Sequence, residues 1–287
     1  MEQEGRARAP GAGTILNALA TMTGSAFAID GIETTATVTL TGGSTISGHI
    51  DGHPDADTAL IERCVELALE EYGNGESTGA EVRTESTIPL ATGLKSSSAA
   101  ANATILATLE ALGHEHPDRL QAARLGVRAA RDVGVTVTGA FDDATASMLG
   151  GVTITDNRSD RLLGHEQVEW DVVVWTPPMR AFSAEADVEA CQRVSDIAAI
   201  VAELAMQGRY GEAMSINGLA FCAALEFPTE PLLSVLPEAD GVSLSGTGPS
   251  YVAIGDRGTL HAVVAEWETK DGRTWETTTN TTGTTTI

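Results

Sequence analysis

The chain has 287 residues, with 42% hydrophobic and 20% charged residues, so it is long enough to bury a large core and globular in composition. Asp and Glu number 40 against 17 Lys plus Arg, a formal net charge of −23 at pH 7. This excess argues against nucleic acid and anionic membranes as partners, because both would repel it. It also indicates a high-salt cytoplasm, where ions screen the self-repulsion; the alternative is a generic acidic soluble protein.

The cysteines and the N-terminal residues indicate the cellular compartment in which the protein is found. Cys64, Cys191 and Cys222 are far apart and odd in number, so we expect reduced thiols in the core rather than disulfides or a zinc site. No apolar run approaches membrane-spanning length, and the first residues do not form a secretory signal. We therefore expect a cytoplasmic protein.

The chain begins with a polar arm, predicted over residues 1–8, and continues into a glycine-containing stretch, APGAGTILNA, at residues 9–18. Gly11 and Gly13 could open a dinucleotide-binding fingerprint. However, Leu16 stands where the third glycine of that fingerprint belongs, so the match is incomplete.

Strands, an acidic loop and a helix follow. Apolar patterning predicts strands over residues 24–29 and 34–40, the second alternating Thr with apolar residues. The stretch IDGHPDAD at residues 50–57 could hold a metal ion, but its Pro and Gly are typical of a turn. We expect its acidic residues to cap a helix over about residues 57–72. A further strand is predicted over residues 80–86.

The most informative stretch is TIPLATGLKSSSAAANATILATLEALG, from Thr87 to Gly113. A turn around Gly93 precedes three serines and an alanine-rich helix, for which Gly113 supplies a C-cap. A Gly-Ser loop that leads into a helix exposes unpaired N–H groups, which form an anion site together with the helix dipole. Lys95 is one of only two lysines, and a cation at a helix N-terminus is unfavourable unless an anion binds there. The alternative is an ordinary N-cap before a buried helix.

A second loop of small residues comes after a helix predicted from about Pro117 to Asp132. In this loop Gly139 is followed by Asp142 and Asp143, which enter another helix rich in small residues. Two adjacent like charges are unusual at such a place. The ordinary explanation is that one aspartate caps the helix and the helix dipole stabilises the other.

The second half of the chain begins after the polar stretch at residues 155–167, which we interpret as a domain boundary. The pattern VEWDVVVWT at residues 168–176 predicts a buried strand. Helices are predicted over about residues 184–207 and 210–225.

Near the C-terminus, the run SLSGTGPS at residues 243–250 lies between two apolar strands. Such a run lets backbone approach a ligand closely, or else forms a plain hairpin turn. A hairpin is predicted around Asp271 and Gly272. The Thr-rich tail at residues 277–287 has no core pattern, so we expect it to be frayed.

Four stretches of the sequence together match a known set of motifs. APGAGTILNA, PLATGLKSSSAAANA and SLSGTGPS resemble the three motifs of the kinase superfamily that acts on galactose, homoserine, mevalonate and phosphomevalonate. Together with VTVTGAFDDA they most resemble its archaeal shikimate kinase branch. The second is not a Walker A loop, because no glycine precedes Gly93 at the required spacing. Many superfamily members carry a lysine in the first motif, where this chain has Ala12 or Gly13, so that charge must come from elsewhere or be unnecessary.

The resemblance implies an α+β fold with two domains. Residues 1–165 would form an N-terminal ATP-binding and catalytic domain with a left-handed βαβ unit. Residues 166–287 would form a ferredoxin-like C-terminal domain. Ordinary chirality rules predict the opposite hand for the βαβ crossover.

The resemblance also implies a reaction, transfer of the ATP γ-phosphoryl group to the 3-hydroxyl of shikimate, with ATP and Mg²⁺ as cofactors. Asp142 best matches the catalytic aspartate; Ser97 is the implied Mg²⁺ ligand and Asp132 a second one. An arginine should bind the shikimate carboxylate. The implied ATP-binding residues are Pro89, Leu90, Ala91, Thr92, Gly93, Leu94, Lys95, Ser96, Ser97, Ser98 and Ala99. The implied substrate-side loops contain Gly11, Gly13, Asn17, Ser245, Gly246, Thr247 and Gly248.

Two other classes of protein share part of these motifs. A kinase of the same superfamily that acts on homoserine or mevalonate would have the same loops. A non-catalytic nucleotide-binding regulator would keep the ATP loop but would have no need of the Asp142–Asp143 pair. The pair therefore argues against the regulator, and substrate assays separate the kinases.

Overall fold

The chain folds into two β-sheets with helices packed against them; the computed structural model describes residues 3–73, 75, 79–181 and 186–287. The first sheet contains β1 (Gln3–Leu16), β2 (Thr23–Thr41), β3 (Ile46–Ile50), β4 (Gly79–Ser86), β5 (Val152–Asp156), β6 (Arg161–Glu166) and, from the C-terminus, β11 (Thr285–Thr286). The second contains β7 (Asp171–Thr176), β8 (Gly241–Leu244), β9 (Tyr251–Gly255) and β10 (Arg273–Thr278).

The helices of the described residues lie between these strands along the chain, singly or in consecutive groups. In the first half they are α1 (Ala59–Tyr72), α2 (Ser96–Ala111), α3 (Arg119–Asp132) and α4 (Phe141–Leu149). In the second half they are α5 (Val188–Gln192), α6 (Ser195–Met206), α7 (Tyr210–Ala224), α8 (Glu230–Leu233) and α9 (Arg257–Trp267).

The first sheet is built around the long antiparallel pair of β1 and β2, and β2 also pairs with β4 and β5. β3 and β4 are parallel neighbours joined by α1, which makes the βαβ unit that the resemblance implies. The left-handed sense of its crossover stays a prediction.

The second sheet has the order β10-β7-β9-β8 with antiparallel neighbours throughout. Along the chain, β7 is followed by helices, then β8, β9, α9 and β10. This is the βαββαβ arrangement of a ferredoxin-like domain, so the predicted α+β architecture is confirmed. The predicted boundary between residues 165 and 166 falls at the end of β6, whereas β11 returns to the first sheet beside β1.

Helix α2 packs close to β1 because both surfaces carry small residues. Ala99, Ala103 and Ala107 on α2 are fully buried. Gly5 on β1 lies so close to this helix that an added Cβ would overlap the Ala107 carbonyl. This contact packs the C-terminal half of α2 closely against the start of β1.

Several local predictions are confirmed within two residues, namely the helices at residues 57–72, 117–132 and 210–225. The predicted strands at 24–29 and 34–40 are parts of the single strand β2. The predicted polar arm is wrong for residues 3–8, which begin β1 with Gly5 and Ala7 buried and the charged residues between them exposed.

Other predictions in the second half need correction. The polar stretch at residues 155–167, interpreted as a domain boundary, contains the turn and second strand of the β5–β6 hairpin. The predicted helix over 184–207 is two helices, α5 and α6, and its predicted start lies outside the described residues. The predicted hairpin around Asp271 and Gly272 is instead the turn from α9 into β10.

The Thr-rich tail is ordered, contrary to the prediction. Thr279 and Thr284 are buried, and their hydroxyls donate to the carbonyl oxygens of Val168 and Ser147 at 2.7 and 3.0 Å. β11 then pairs with β1. Threonine hydroxyls satisfied by buried carbonyls replace the apolar pattern that the sequence lacks.

The predicted absence of disulfides is confirmed, since Cys64, Cys191 and Cys222 are all free and buried. Among the described residues, none of the helices combines the length and apolar character needed to cross a bilayer. The same residues contain no group of three His, Cys, Asp or Glu side chains that could hold a metal ion.

The acidic surface leads to an expected dependence of stability on salt. With a net charge of −23, self-repulsion weakens as the Debye length falls from ~10 Å at 0.1 M KCl to a few Å at 2 M. We expect the thermal midpoint to rise by at least ~5 °C across this range, which is roughly 2 kcal/mol for a chain of this size. An uncharged osmolyte at equal osmolality is the control for general exclusion effects. A midpoint unchanged by KCl would contradict the halophilic interpretation.

Candidate active site

A cavity of about 650 Å³ lies where the three motif stretches and the N-terminal ends of α2 and α4 meet. Its volume suits a cofactor together with a small molecule. The lining includes residues of the loop before α2, the loop before α4, the end of β1 and the loop between β8 and β9, together with residues of β3, α1 and α3. The fold therefore assembles in one place stretches that are far apart in the sequence.

Hydrogen bonds that its carbonyl groups accept hold the loop before α2, residues 88–95, in place. The carbonyls of residues 91–94 each accept a hydrogen bond from another part of the chain. In order, the donors are the N–H of Ala181, the N–H of Ser250, the hydroxyl of Ser245 and the N–H of Ala12, at 2.9, 3.1, 2.9 and 3.2 Å. Within the described part of the chain, the N–H groups of residues 96–98 have no such partner, so they are available to an anion.

Two residues of this loop have left-handed backbone conformations. Gly93 has φ +80°, and an added Cβ would overlap the Ser245 carbonyl oxygen. Lys95, directly before α2, has φ +67°, which is costly for a residue with a side chain. The position of Lys95 is nevertheless held, because its ammonium group is paired as described below.

Gly93→Ala should be much more destabilising than Gly113→Ala. Both glycines have φ near +80°, but an added Cβ at Gly113 meets nothing within 4 Å. Gly113→Ala should therefore cost only the conformational penalty, about 1 kcal/mol. Gly93→Ala should cost at least ~2 kcal/mol more, because the Ser245 segment must move. Urea unfolding at constant KCl measures both, and equal losses would show that the loop yields freely.

The paired aspartates lie in the first turn of α4, but neither caps the helix. The N-cap position is Ala140, with φ +50°, and no side chain caps α4 there. The capping explanation for the pair is therefore wrong. Asp142 is 4% exposed and its Oδ1 accepts a hydrogen bond from Asn157 Nδ2 at 2.8 Å.

Asp143 faces the loop before α2. Its Oδ1 lies 3.0 Å from Lys95 Nζ, and both side chains are largely buried. Burial and the neighbouring charge of Asp142 raise the pKa of the Asp143 carboxyl, while Lys95 opposes the rise. The Lys95–Asp143 ion pair thus joins the helix starts of α2 and α4 across the cavity.

The first and third motif stretches are joined through Asn17. Its N–H donates to Asn217 Oδ1 at 2.9 Å and its Nδ2 donates to the Gly246 carbonyl at 2.8 Å. The Gly246 N–H donates to Thr14 Oγ1 at 2.8 Å. Asn217 on α7 and Thr14 are site residues that the sequence did not reveal, because only the fold brings them together.

Most of the predicted site residues line the cavity. They are Asn17, Leu90, Ala91, Thr92, Gly93, Lys95, Ser96, Ser97, Ser98, Asp142, Gly246 and Thr247. Those that do not line it are Gly11, Gly13, Pro89, Leu94, Ala99, Asp132, Ser245 and Gly248. Ser245 and Gly248 lie behind the loop, next to Gly93, and Leu94 of the loop itself is buried.

Gly11 and Gly13 were predicted in a substrate-side loop, but both lie within β1. An added Cβ at Gly11 would come within 2.9 Å of the Leu94 carbonyl oxygen, and at Gly13 within 2.6 Å of the Phe27 ring. These glycines allow β1 to pack closely against its neighbours. Their role in the structure is close packing rather than contact with the cavity.

Asp132 was implied as a second Mg²⁺ ligand, but it is not among the residues that line the cavity. It is the last residue of α3, is exposed, and accepts a hydrogen bond from Arg63 Nε at 2.8 Å. Its carboxylate is thus held outside the cavity. In the acidic loop at residues 50–57, Asp57 accepts from the Ala59 N–H at the start of α1, although the N-cap residue is Thr58 and its side chain makes no cap. Asp51 pairs with Arg83 on β4.

The arginine expected at a substrate carboxylate is also missing from the lining. Lys95 is the only Lys or Arg among the described residues that line the cavity. Arg131 supports the site from behind, since its Nη2 donates to the carbonyls of Thr138 and Asn157 at 3.3 and 2.9 Å. Asn157 and Arg131 were missed because nothing local in a polar turn or a helix end marks either residue as part of a site.

The chain is similar to known proteins in both sequence and structure. Residues 59–151 match the family model described as "GHMP kinases N terminal domain". A homoserine kinase from Cytophaga hutchinsonii has a similar structure, with TM-score 0.77 and 15% identity, covering 100% of this chain and 98% of that one. The fold is that of this kinase structure, and the family model assigns residues 59–151 to a GHMP kinase domain.

Curated relatives with similar sequences indicate which kind of kinase the chain resembles. A shikimate kinase from Halobacterium salinarum is 62% identical over 282 residues, 98% of each chain. A shikimate kinase from Methanosarcina mazei is 49% identical over 287 residues, 99% of this chain and 97% of the other. The chain belongs to the GHMP kinase family that includes these shikimate kinases.

Proposed function

We propose that the protein is a cytoplasmic shikimate kinase. It transfers the γ-phosphoryl group of ATP to the 3-hydroxyl of shikimate, giving shikimate 3-phosphate and ADP for chorismate and aromatic amino acid biosynthesis. The observation that carries the proposal is one cavity that contains both the anion-binding loop before α2 and the Asp142–Asp143 pair. The identity to shikimate kinases over nearly the whole chain supports the choice of acceptor.

ATP occupies the part of the cavity formed by the loop and α2. The free N–H groups at the start of α2 and the helix dipole hold its phosphates, and Lys95 adds positive charge. Ile50, Leu60, Ile61 and Val127 form an apolar part of the lining that would pack against the nucleobase.

Mg²⁺ fits the oxygen-bearing side chains of the cavity. Ser97 is exposed at the start of α2, lines the cavity, and provides a hydroxyl oxygen of the kind that this hard cation prefers. When bound, Mg²⁺ neutralises charge on the ATP phosphates. Asp132 takes no part, since Arg63 holds it outside the cavity.

The reaction needs positioning and charge neutralisation more than covalent chemistry. Asp142 accepts the proton of the shikimate 3-hydroxyl as the oxygen bonds to the γ-phosphorus and the bond to the ADP oxygen breaks. The proton then passes from Asp142 to water. Asn17, Gly246 and Thr247 line the acceptor side of the cavity.

The test is an assay of the purified protein in high KCl with ATP, Mg²⁺ and one acceptor at a time: shikimate, homoserine or mevalonate. Product is identified by mass. Shikimate 3-phosphate as the main product supports the proposal. Phosphorylation of another acceptor would move the protein to a different kinase, and nucleotide binding without any product would indicate a regulator.

A further inference from the structure

A buried amide holds one oxygen of the proposed base. Asn157 lies directly after β5, is 0% exposed, and its Nδ2 donates to Asp142 Oδ1 at 2.8 Å. Among the described residues no cation lies within ion-pair distance of Asp142. Lys95 is paired with Asp143 instead. Asn157 is therefore the side chain that offsets the burial of this carboxylate.

The orientation of this amide is fixed. Thr155, also fully buried, donates its hydroxyl to Asn157 Oδ1 at 2.7 Å. A reversed amide would place its oxygen against the Asp142 carboxylate, and two acceptors repel. Nδ2 must therefore face Asp142.

The backbone of Asn157 is anchored on both sides. Its N–H donates to the Met22 carbonyl at 2.8 Å, and its carbonyl accepts from Arg131 Nη2 at 2.9 Å. Arg131 is itself held by a two-point ion pair with Asp160, at 2.6 and 2.8 Å. Every polar group of Asn157 is thus used, which is how a rigid support for a reacting group is built.

We propose that Asn157 is a positioning residue for phosphoryl transfer. It keeps Oδ1 of Asp142 occupied, so that Oδ2 is the oxygen that meets the acceptor hydroxyl. Gly24 accommodates the carboxylate itself, because an added Cβ there would overlap Oδ2, and Asp142 lines the cavity. This inference rests on the proposed function of Asp142 as the base, and it assigns Asn157 to the chemical step rather than to nucleotide binding.

The charged groups around Asp142 come from three helices. Asp143 is its neighbour on α4, Lys95 before α2 is paired with Asp143, and Arg131 on α3 is paired with Asp160. Asn157→Asp would add a second carboxylate at hydrogen-bond distance, and two such groups share a proton. In the dependence of kcat on pH, the acid limb, where kcat falls at low pH, should therefore move to higher pH by at least ~1 unit.

Asn157→Leu removes the donor at nearly constant volume. We expect kcat to fall by roughly 10-fold or more, while KM for ATP changes by less than about 3-fold. Thr155→Val should give a smaller loss in kcat, since only the orientation of the amide is released. The matched control is Thr108→Val, which removes a buried hydroxyl from α2 that donates to the Thr104 carbonyl at 2.8 Å, away from the site. Thermal midpoints in the same salt check folding.

The decisive measurement repeats Asn157→Leu in an Asp142→Asn background, with whichever acceptor the wild type phosphorylates. If Asn157 acts through Asp142, the second change should cost less than about 3-fold in kcat there. An equal loss in both backgrounds, or an unmoved acid limb in Asn157→Asp, would overturn the positioning role. Full activity of Asp142→Asn would overturn the base assignment and this inference together, whereas failure with shikimate alone would refute only the acceptor.

Discussion

Asp142→Asn should lower kcat for shikimate by roughly 10²-fold or more, with a smaller change in KM for ATP. The amide has the same shape as the carboxylate but cannot accept the proton of the acceptor hydroxyl. Its oxygen can still accept the hydrogen bond from Asn157, so the surroundings of residue 142 are preserved. Initial-rate kinetics at saturating Mg²⁺ and constant KCl measure the effect.

Asp143→Asn is the matched control, because the two aspartates are adjacent and both line the cavity. This change removes the charge opposite Lys95 but leaves the ammonium group free to meet the ATP phosphates. The loss in kcat should therefore be smaller than for Asp142→Asn. Equal and mild losses at both positions would indicate a structural pair, and a larger loss at Asp143 would transfer the role of base to that residue.

The loop around Gly93 could be predicted from the sequence because its chemistry is local. Three serines and a glycine before an alanine-rich helix specify free N–H groups at a helix start, and the structure has them there. The partners that hold the loop could not be predicted. They come from residues 12, 181, 245 and 250, which only the complete fold brings together.

The same distinction applies to the two aspartates. Their adjacency was visible in the sequence, but their different surroundings were not. Lys95 reaches Asp143 across a gap of 48 positions, and Asn157 reaches Asp142 from the polar stretch that was interpreted as a domain boundary. The prediction that the Thr-rich tail is frayed was wrong for another reason. Hydrogen bonds from threonine hydroxyls to carbonyl oxygens hold the tail, and such bonds leave no apolar pattern in the sequence.

Shikimate should exceed homoserine and mevalonate in kcat/KM by at least ~10³-fold, because a cavity that pairs with ring hydroxyls leaves polar groups unsatisfied when they are missing. Shikimate is a rigid ring with a carboxylate and three hydroxyls, whereas homoserine is a flexible zwitterion whose ammonium needs an acidic partner. Lys95 is the only cation in the described lining, and we expect hydroxyl, amide and backbone donors such as Asn17 and Thr14 to contribute to binding the carboxylate.

The measurement compares kcat/KM for the three acceptors in one high-salt buffer with the same ATP and Mg²⁺. Asn17→Asp is the variant that tests the acceptor side: a carboxylate there would repel shikimate but could pair with the ammonium of homoserine. We expect the ratio of shikimate to homoserine efficiency to fall by about 10-fold or more in this variant. Comparable efficiencies for shikimate and homoserine in the wild-type protein would contradict the assigned acceptor and leave the kinase family unchanged.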